Sequence, residues 1–450
     1  MNIAFIPIDN RPVCYTLVEQ IAKLNDDIKI FMPDRKFMGG LDKISNTDEI
    51  FNWLEKLQDI DVAIISLDTI AYGGLIPSRR SKDSFDEILK RINKLKEILI
   101  TKNAEIYAFS SIMRISDNNI NQEEKEYWNI WGKKIFEYSY NLDKSNIQTT
   151  QIPDDILNDY LATRKRNFEI NKIYLQWQKE GFFNTLVFSK DDCAQYGLNV
   201  REAKELEKMG AFVKTGADEI PLSLLSRAVS NYFGEKSGFV KISPIFLEPE
   251  FKNLVSNYED VSIEKSVLGQ LELAKCKVTS PDNADILLII NNFENRQGEI
   301  VMKIPTKPFA KNFKNPEKPY IIADVRFANG ADNEFVKKLF EKGFDEKFYG
   351  YSAWNTSANT LGSLICAAVC KYFNKNKNSE NFLKLQVTRF LDDWAYQANV
   401  RQMLTKPDSD ECKKLMKPFE EKVFEIFNVK YDVNYKFPWN RLFEVEIEFN

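Results

Sequence analysis

Short apolar runs alternate with longer amphipathic stretches through the first 245 residues of the chain. The runs predict β-strands at residues 3–8, 28–32, 62–67, 105–110, 185–188, 211–214 and 239–242. An apolar position every three or four residues predicts α-helices between them, at 84–99, 122–138, 154–179 and 200–208. Apolar strands separated by helices of this length are typical of parallel sheets built from βα units. We therefore expect an α/β fold, either a (β/α)8-like barrel or an open, doubly wound parallel sheet.

The pattern changes after Pro244, where a second and smaller α/β unit is predicted. Further strands are expected at 277–279, 286–290, 320–324 and 348–351, with helices at 263–274 and 359–372. The end of the chain is charged and helical in pattern, and the run FEVEIEF (443–449) predicts one edge strand. The predicted domains are a barrel-like catalytic domain at 1–245, a second α/β unit that completes the cleft at 246–375, and a helical C-terminal region at 376–450.

The chain of 450 residues contains no histidine. A Ser-His-Asp triad, a Cys-His dyad, a His-ligated zinc site and an imidazole general base are therefore excluded. Proton transfer in an enzyme of this composition must use Asp, Glu, Lys, Tyr or Cys. A bound metal would meet mainly oxygen ligands, which favours magnesium, calcium or manganese.

The charge balance and the cysteines narrow the class of protein further. The 62 basic and 66 acidic residues give a net charge of −4, without the basic excess of a general nucleic-acid binder. The six cysteines form no Cys-x-x-Cys pair. No signal-peptide pattern is visible, and no apolar stretch approaches the roughly 20 residues of a membrane span. We expect a cytoplasmic protein with no cofactor and no nucleic-acid or membrane partner. The sequence leaves open whether the chain forms a homo-oligomer.

Polar side chains follow nearly every predicted strand. They are Asp9, Asn10 and Arg11 after the first strand, Asp68, Tyr72 and Arg79 after the third, Asp191 and Asp192 after the fifth, Asp218 and Glu219 after the sixth, and Asp324, Asn329, Trp354, Asn355 and Asn359 in the later unit. Functional residues of parallel α/β folds gather at the carboxyl ends of strands, so we expect these side chains to converge in one cavity. Each position also has a structural alternative, because an Asp after a strand often caps a helix or shapes a turn.

Adjacent acids supply the candidate chemistry. Asp218 with Glu219, and Asp191 with Asp192, each place two carboxyl groups side by side. Neighbouring carboxylates repel, so one group keeps its proton to higher pH while the other stays ionised. Glycoside hydrolysis is the reaction class built on two carboxyl groups. We therefore predict a glycoside hydrolase for a small-molecule or oligosaccharide substrate. These four acids are the predicted catalytic residues, and the other polar residues named above are the predicted substrate-binding residues.

Six motifs, in this order, resemble a bacterial family defined only as a domain of unknown function, DUF4127. They are IPIDNRPV (6–13), DTIAYGGLIPSR (68–79), SKDDCAQYG (189–197), TGADEI (215–220), ADVRFANGAD (323–332) and GYSAWNTSANTLG (350–362). The resemblance spans most of the chain and implies no particular activity.

A second, local resemblance concerns the strand followed by GADEI (216–220). It is similar to the strand and Gly-Gly-Asp-Glu-Val signature of retaining β-N-acetylhexosaminidases. That likeness implies that Glu219 is the general acid and base, and that Asp218 orients the acetamido group of the substrate, which acts as nucleophile. This chain has Ala217 at the second glycine position and lacks the histidine often found upstream. The pair Asp191 and Asp192 resembles the acidic pair of other substrate-assisted hexosaminidases and competes for the same role.

Two alternative functions use the same side chains. A metal-dependent hydrolase or lyase would bind magnesium or manganese through Asp9, Asp68, Asp192 and Asp324. A non-catalytic carbohydrate- or metabolite-binding protein would hold its ligand without turnover. The glycoside hydrolase hypothesis predicts no metal site.

Overall fold

The computed structural model describes residues 1–147, 151–191, 194–374 and 380–450. The chain divides into two compact units. The first unit comprises Met1–Tyr15, Ile28–Leu224 and Tyr258–Asp260, and the second comprises Thr16–Asp27, Leu225–Asn257 and Val261–Asn450. The division at residues 245 and 375 stays a prediction about independently folding domains.

The strands lie in two parallel sheets and two small pairs. Their bounds are β1 (Asn2–Ile6), β2 (Lys29–Phe31), β3 (Val62–Ser66), β4 (Glu105–Ile112), β5 (Thr185–Lys190), β6 (Phe212–Thr215), β7 (Lys241–Phe246), β8 (Lys277–Val278), β9 (Ile286–Asn291), β10 (Gly298–Glu299), β11 (Tyr320–Asp324), β12 (Phe327–Ala328), β13 (Phe348–Ser352), β14 (Val433–Lys436) and β15 (Glu446–Phe449). The first sheet has the order β2-β1-β3-β4-β5-β6, and the second has the order β13-β11-β9-β7-β8. The pair β10 and β12 is parallel, and the pair β14 and β15 is antiparallel.

Helices connect the strands and form most of the C-terminal region. Their bounds are α1 (Thr16–Ala22), α2 (Thr47–Lys56), α3 (Leu67–Ala71), α4 (Pro77–Arg80), α5 (Phe85–Ile100), α6 (Trp128–Ser145), α7 (Asp154–Lys179), α8 (Leu198–Lys208), α9 (Ile220–Ser237), α10 (Ile263–Leu273), α11 (Asn333–Lys342), α12 (Ser357–Phe373), α13 (Glu380–Arg389) and α14 (Ser409–Phe427). Short 3-10 turns lie at Arg35–Phe37, Pro249–Phe251, Pro281–Asn283, Val400–Gln402 and Pro438–Asn440. A π-helix occupies Phe390–Gln397 and continues α13.

The mixed α/β architecture with parallel sheets and a helical C-terminal region is confirmed. A closed barrel is not seen among the described strands, which form a six-stranded and a five-stranded sheet instead. In both sheets the first strand along the chain lies second in the order, and the second strand lies at the edge. The strand order therefore reverses beside β1 in one sheet and beside β7 in the other.

The sequence explains why these elements form. Strand β3 (VAIIS) is buried over its whole length, as expected for a central parallel strand covered on both faces. Helix α5 begins after Ser84, which forms a capping box with Glu87. One apolar cluster of the first unit packs β1, β3 and β4 against α5 and α7, and another in the second unit packs β11 and β13 against the π-helix and α14. Burial of these apolar faces fixes the strand ends, and with them the loops that carry polar side chains.

Candidate functional site

The loops at the carboxyl edge of the first sheet converge. Strands β1 and β6 are separated by three other strands, which is roughly 19 Å in a flat sheet with strands about 4.8 Å apart. Arg11, in the loop after β1, nevertheless binds Asp218, in the loop after β6. Two of the polar residues that were predicted to share one cavity, Arg11 and Asp218, are therefore in contact within the first unit.

Arg11 is the centre of a buried ion-pair network. Its backbone N–H and its Nε donate to the two carboxylate oxygens of Asp9, each at 2.9 Å. Its Nη1 and Nη2 donate to Oδ2 and Oδ1 of Asp218 at 3.0 and 2.5 Å. Burial raises the pKa of Asp218 above its ordinary value, and the Arg11 guanidinium opposes that shift. Because a bidentate guanidinium binds the ionised form, we take Asp218 to be a carboxylate at neutral pH.

Glu219 occupies a different environment from its neighbour Asp218. It is 1% exposed, and its Oε2 accepts the backbone N–H of Ala217 at 3.2 Å. The carboxyl group folds back over Gly216, whose φ is +118° and where a Cβ would overlap Glu219 Oε1. Burial raises the pKa of Glu219 to about 8, and the carboxylates of Asp218 and Glu259 contribute to the increase. Glu219 therefore keeps its proton at neutral pH.

A second cluster joins two arginines to three carboxylates. The same oxygen of Glu123 lies 2.7 Å from Arg114 and 3.6 Å from Arg79. One oxygen of Glu124 lies 3.2 Å from Arg114 and 3.4 Å from Arg79. One oxygen of Asp191 lies 3.4 Å from Arg114 and 3.7 Å from Arg79. Each carboxylate thus bridges the two guanidinium groups. The charge of Asp191 also raises the pKa of Asp218, so the two clusters interact electrostatically.

The other half of one predicted acidic pair, Asp192, lies outside the described residues. The structure therefore describes Asp191 without its neighbour, and the catalytic role of the pair stays a prediction.

Asp68 and Tyr72 are buried in and just after α3, the helix that follows β3. Asp68 is fully buried and accepts the N–H of Ser111 at 2.8 Å and the hydroxyl of Ser110 at 3.5 Å. Burial raises the pKa of Asp68 to about 6, and the hydrogen bonds from the two serines oppose that shift. Tyr72 is 4% exposed, with the Arg166 guanidinium 5.5 Å from its ring centre. Both positions favour a supporting role over direct contact with a ligand.

Asn10 contributes its backbone to the loop after β1. Its carbonyl accepts a hydrogen bond from Arg35 Nε at 2.8 Å, and its N–H donates to Gly39 at 3.0 Å. These contacts fasten the loop that presents Arg11. The side chain of Asn10 is half-buried.

The segment Tyr258–Asp260 belongs to the first unit, although its neighbours in sequence belong to the second. Asp260 accepts hydrogen bonds from Lys190 Nζ at 2.5 Å and from the Thr215 hydroxyl at 2.6 Å. These contacts hold Glu259 where its charge acts on Glu219. Sequence reasoning missed this segment because it follows no strand.

The predicted residue Asp324 lies in a buried polar network of the second unit. Asp324 accepts hydrogen bonds from Asn291, the backbone N–H of Asp332 and the Tyr351 hydroxyl at 2.8, 2.9 and 3.1 Å. Burial raises the pKa of Asp324 to about 7, and the carboxylate of Asp332 adds to the increase. Arg326, also fully buried, donates to Asn291 at 3.0 Å.

Four further predicted residues lie elsewhere in the second unit. The backbone N–H of Asn329 donates to the carbonyl of Asn355 at 2.8 Å, and both residues have left-handed backbone, with φ of 59° and 60°. Trp354 is buried against Phe443, with ring centres 6.3 Å apart. Asn359 is 7% exposed, and its Oδ1 has no hydrogen-bond partner among the described residues. The structure thus brings Asn329 and Asn355 together.

The residues of the candidate site for which no role is predicted from the sequence are Arg114, Glu123, Glu124, Glu259 and Asp260. Arg114 stands two residues after β4 and is part of the pattern of polar residues at strand ends, although that pattern assigns it no role. Glu123 and Glu124 belong to the polar loop before α6 and carry no such signal.

Neither a preformed metal site nor a membrane span emerges from the described ranges. Within residues 1–147, 151–191, 194–374 and 380–450, no three His, Cys, Asp or Glu side chains are grouped so that they could ligate a metal ion. No helix in this part of the chain has the length and apolarity needed to cross a membrane.

Comparison with known proteins identifies the family of the chain. No curated protein matches it significantly. A family model described as "Protein of unknown function (DUF4127)" matches residues 3–448. This match covers almost the whole sequence and confirms the expected family. The chain is therefore a member of the DUF4127 family.

Proposed function

We propose that this protein is a glycoside hydrolase that uses carboxyl groups alone, with Glu219 as the proton donor. The observation that supports this most is the contrast between two adjacent acids. Asp218 receives two N–H groups from Arg11, whereas Glu219 is buried over Gly216 with a pKa of about 8. Two carboxyl groups whose environments separate their pKa values provide an acid and an ionised partner at the same pH.

The proposed reaction follows from these protonation states. Glu219 gives its proton to the glycosidic oxygen as the bond from that oxygen to the anomeric carbon breaks, and the aglycone leaves as an alcohol. The acetamido oxygen of an N-acetylated sugar attacks the anomeric carbon, while Asp218 accepts a hydrogen bond from the acetamido N–H. Glu219, now a carboxylate, takes a proton from the water that opens the cyclic intermediate. The sugar is released and Glu219 is again protonated.

Arg11 has two functions in this proposal. It keeps Asp218 ionised and it fixes the direction of its carboxylate. A carboxylate has about four lone-pair positions, so two N–H groups from Arg11 leave acceptor capacity for the substrate. Asp9 orients Arg11 through two hydrogen bonds of 2.9 Å.

The proposal takes the first sheet as doubly wound, because its order reverses beside β1. Ligands of such sheets bind outside the carboxyl ends of the strands near the reversal. Asp9 and Arg11 lie in the loop after β1, and Asp68 lies in α3, directly after β3; β1 and β3 are the two strands at that point. Sugar contacts from Arg79, Asp324, Asn329, Trp354, Asn355 and Asn359 stay predictions.

A screen of 4-nitrophenyl glycosides tests the proposal. We expect release of 4-nitrophenol from an N-acetylhexosaminide. Glu219→Gln should lose most of this activity. Glu207→Gln, the same change at an exposed position of α8, should keep the full activity. Release from no glycoside between about pH 4 and pH 8 would contradict the proposal. Activity abolished by a chelator would favour the metal-dependent alternative. Thermal stabilisation by a sugar without turnover would favour the binding protein.

A further inference from the structure

A cleft of about 750 Å³ opens in the first unit beside the Arg79 and Arg114 cluster. Its size falls within the range of about 300–1,000 Å³ that is typical of ligand pockets. Its walls come from the loop that precedes α6, the end of α4 and the loop around Leu41. Leu41 is the one aliphatic side chain among the described residues that line it.

Most charged groups of the cleft have ion-pair partners within the protein, and the two others that line it, Lys82 and Glu126, are of opposite sign. Lys125 donates to Asp159 at 2.6 Å and to Thr163 at 2.7 Å, and the Tyr127 hydroxyl donates to the same Asp159 oxygen at 2.9 Å. An ion-binding site would instead present uncompensated charge, and an apolar ligand would meet a polar wall. The lining therefore suits an uncharged ligand that both donates and accepts hydrogen bonds.

The arginine at position 80 holds one wall of the cleft in place. Arg80 donates to the backbone carbonyls of Asn121, Gln122 and Glu124. These bonds occupy the carbonyls of the loop and leave the side chains of Asn121 and Gln122 to face a ligand. Gln122 is exposed, and both amides can donate and accept.

The cleft is linked to the proposed catalytic acids through shared contacts. Glu124 lines the cleft, and its Oε1 lies 3.2 Å from Arg114. Arg114 in turn lies 3.4 Å from Asp191, whose charge acts on Asp218. Direct ionic contacts thus lead from the cleft to Asp191, and the charge of Asp191 acts on Asp218 without a direct contact.

We propose that this cleft binds an uncharged oligosaccharide and provides subsites for sugar units beyond the one that is cleaved. The inference rests on the proposed function for its role as a subsite, but not for binding itself. Sugar hydroxyls both donate and accept hydrogen bonds. This matches a wall made of ion-paired side chains and of the amides of Asn121 and Gln122. The substrate is accordingly an oligosaccharide with several uncharged units.

Binding is tested by isothermal titration calorimetry with triacetylchitotriose, cellotriose, maltotriose and glucuronic acid. We compare the wild-type protein with Gln122→Trp, which fills the cleft, and with Gln176→Trp, the same change at an exposed position of α7. Chromatography of the titrated sample shows whether a trisaccharide was cleaved. We expect one neutral trisaccharide to bind with an affinity insensitive to salt. Gln122→Trp should weaken it at least about tenfold, while Gln176→Trp leaves it unchanged.

The outcomes separate this inference from the proposed function. Binding that Gln122→Trp weakens, with no cleavage of any glycoside, supports the cleft and contradicts the hydrolase. Cleavage of aryl glycosides with trisaccharide binding that Gln122→Trp does not change contradicts the cleft alone. The inference is overturned if no neutral trisaccharide binds, or if glucuronic acid binds in the cleft and the neutral sugars do not.

Discussion

Arg11 binds Asp218 through two parallel N–H donors, at 3.0 and 2.5 Å, across 207 positions of sequence. Both residues are almost completely buried. The contact joins the first loop of the sheet to the last, so it serves the stability of the site and the ionisation of Asp218 together. Since it joins the loops that carry most of the proposed chemistry, it is the first contact to test.

Replacing Arg11 should destabilise the protein strongly. Arg11→Met leaves the buried carboxylates of Asp9 and Asp218 without their guanidinium, and breaking a buried ion pair in this way costs about 3–5 kcal/mol. Arg11→Lys keeps the charge but loses the bidentate geometry, so its loss should be smaller. Urea unfolding of the three proteins measures the difference. In a double-mutant cycle with Asp218→Asn, the combined loss should be less than the sum of the single losses, and strict additivity would show that the contact is not coupled.

The pKa of Glu219 predicts a pH dependence of stability. The folded protein holds this proton with a pKa of about 8, against an ordinary value of 4.5. The proton that Glu219 holds in the folded state therefore contributes its whole stabilisation to the free energy of unfolding below about pH 4.5. That stabilisation is lost as the pH rises through 8, at about 1.4 kcal/mol for each pKa unit of the shift. Glu219→Gln cannot ionise, so it should become more stable relative to the wild type between pH 5 and pH 9. If the free energies of unfolding of the two proteins changed in parallel with pH, the raised pKa of Glu219 would be contradicted.

Gly216 and Gly210 form a matched pair for testing the turn that holds Glu219. Both have positive φ, +118° and +93°, but only at Gly216 would a Cβ meet another group, Glu219 Oε1; nothing lies within 4 Å at Gly210. Gly210→Ala should show backbone strain alone, about 1–2 kcal/mol. Gly216→Ala should lose more stability and should also displace the Glu219 carboxyl, which would reduce activity. Equal losses in both variants, with activity intact, would show that the carboxyl does not depend on this glycine.

Asp68 offers a test of the buried hydrogen bonds between α3 and β4. Asp68→Ala removes the acceptor of the buried Ser111 N–H, and an unsatisfied buried donor costs about 1–3 kcal/mol. Asp68→Asn keeps one oxygen and should be less destabilised. Thermal unfolding of both variants measures the order. If alanine were tolerated as well as asparagine, the hydrogen bond to Ser111 would contribute nothing to stability.

The sequence pattern located most strands because buried parallel strands are continuous apolar runs. The prediction for 320–324 coincides with β11, and that for 154–179 coincides with α7. The pattern could not show which strands pair. The strand predicted at 239–242, seventh along the chain, is observed as β7 and pairs with β9 in the second sheet, because pairing is decided by packing between distant segments.

Helix α6 shows how a loop contact overrides the local pattern. The sequence pattern predicts the helix from residue 122, but the helix begins at Trp128. The preceding loop is held instead by Arg80, which binds its carbonyls, and by Arg79, which binds a carboxylate. The same contacts with Arg79 bring Glu123 and Glu124 into the candidate site. Glu259 was missed because its position depends on Asp260 reaching Lys190, 70 residues away. Such long-range contacts have no local signature in the sequence.

The most direct test of carboxyl-only catalysis compares two leaving groups in the wild type and in Glu219→Gln. The phenol of a phenyl N-acetylglucosaminide needs a proton in order to leave. The 2,4-dinitrophenolate of a 2,4-dinitrophenyl N-acetylglucosaminide leaves as a stable anion. Release of the leaving group in the first turnover precedes the step in which Glu219 acts as a base. In that first turnover, the account predicts that Glu219→Gln slows release of phenol by about 10²–10⁴-fold and leaves release of 2,4-dinitrophenolate nearly unchanged. An equal effect on both substrates, or no effect on either, would contradict the assignment of Glu219 as the proton donor.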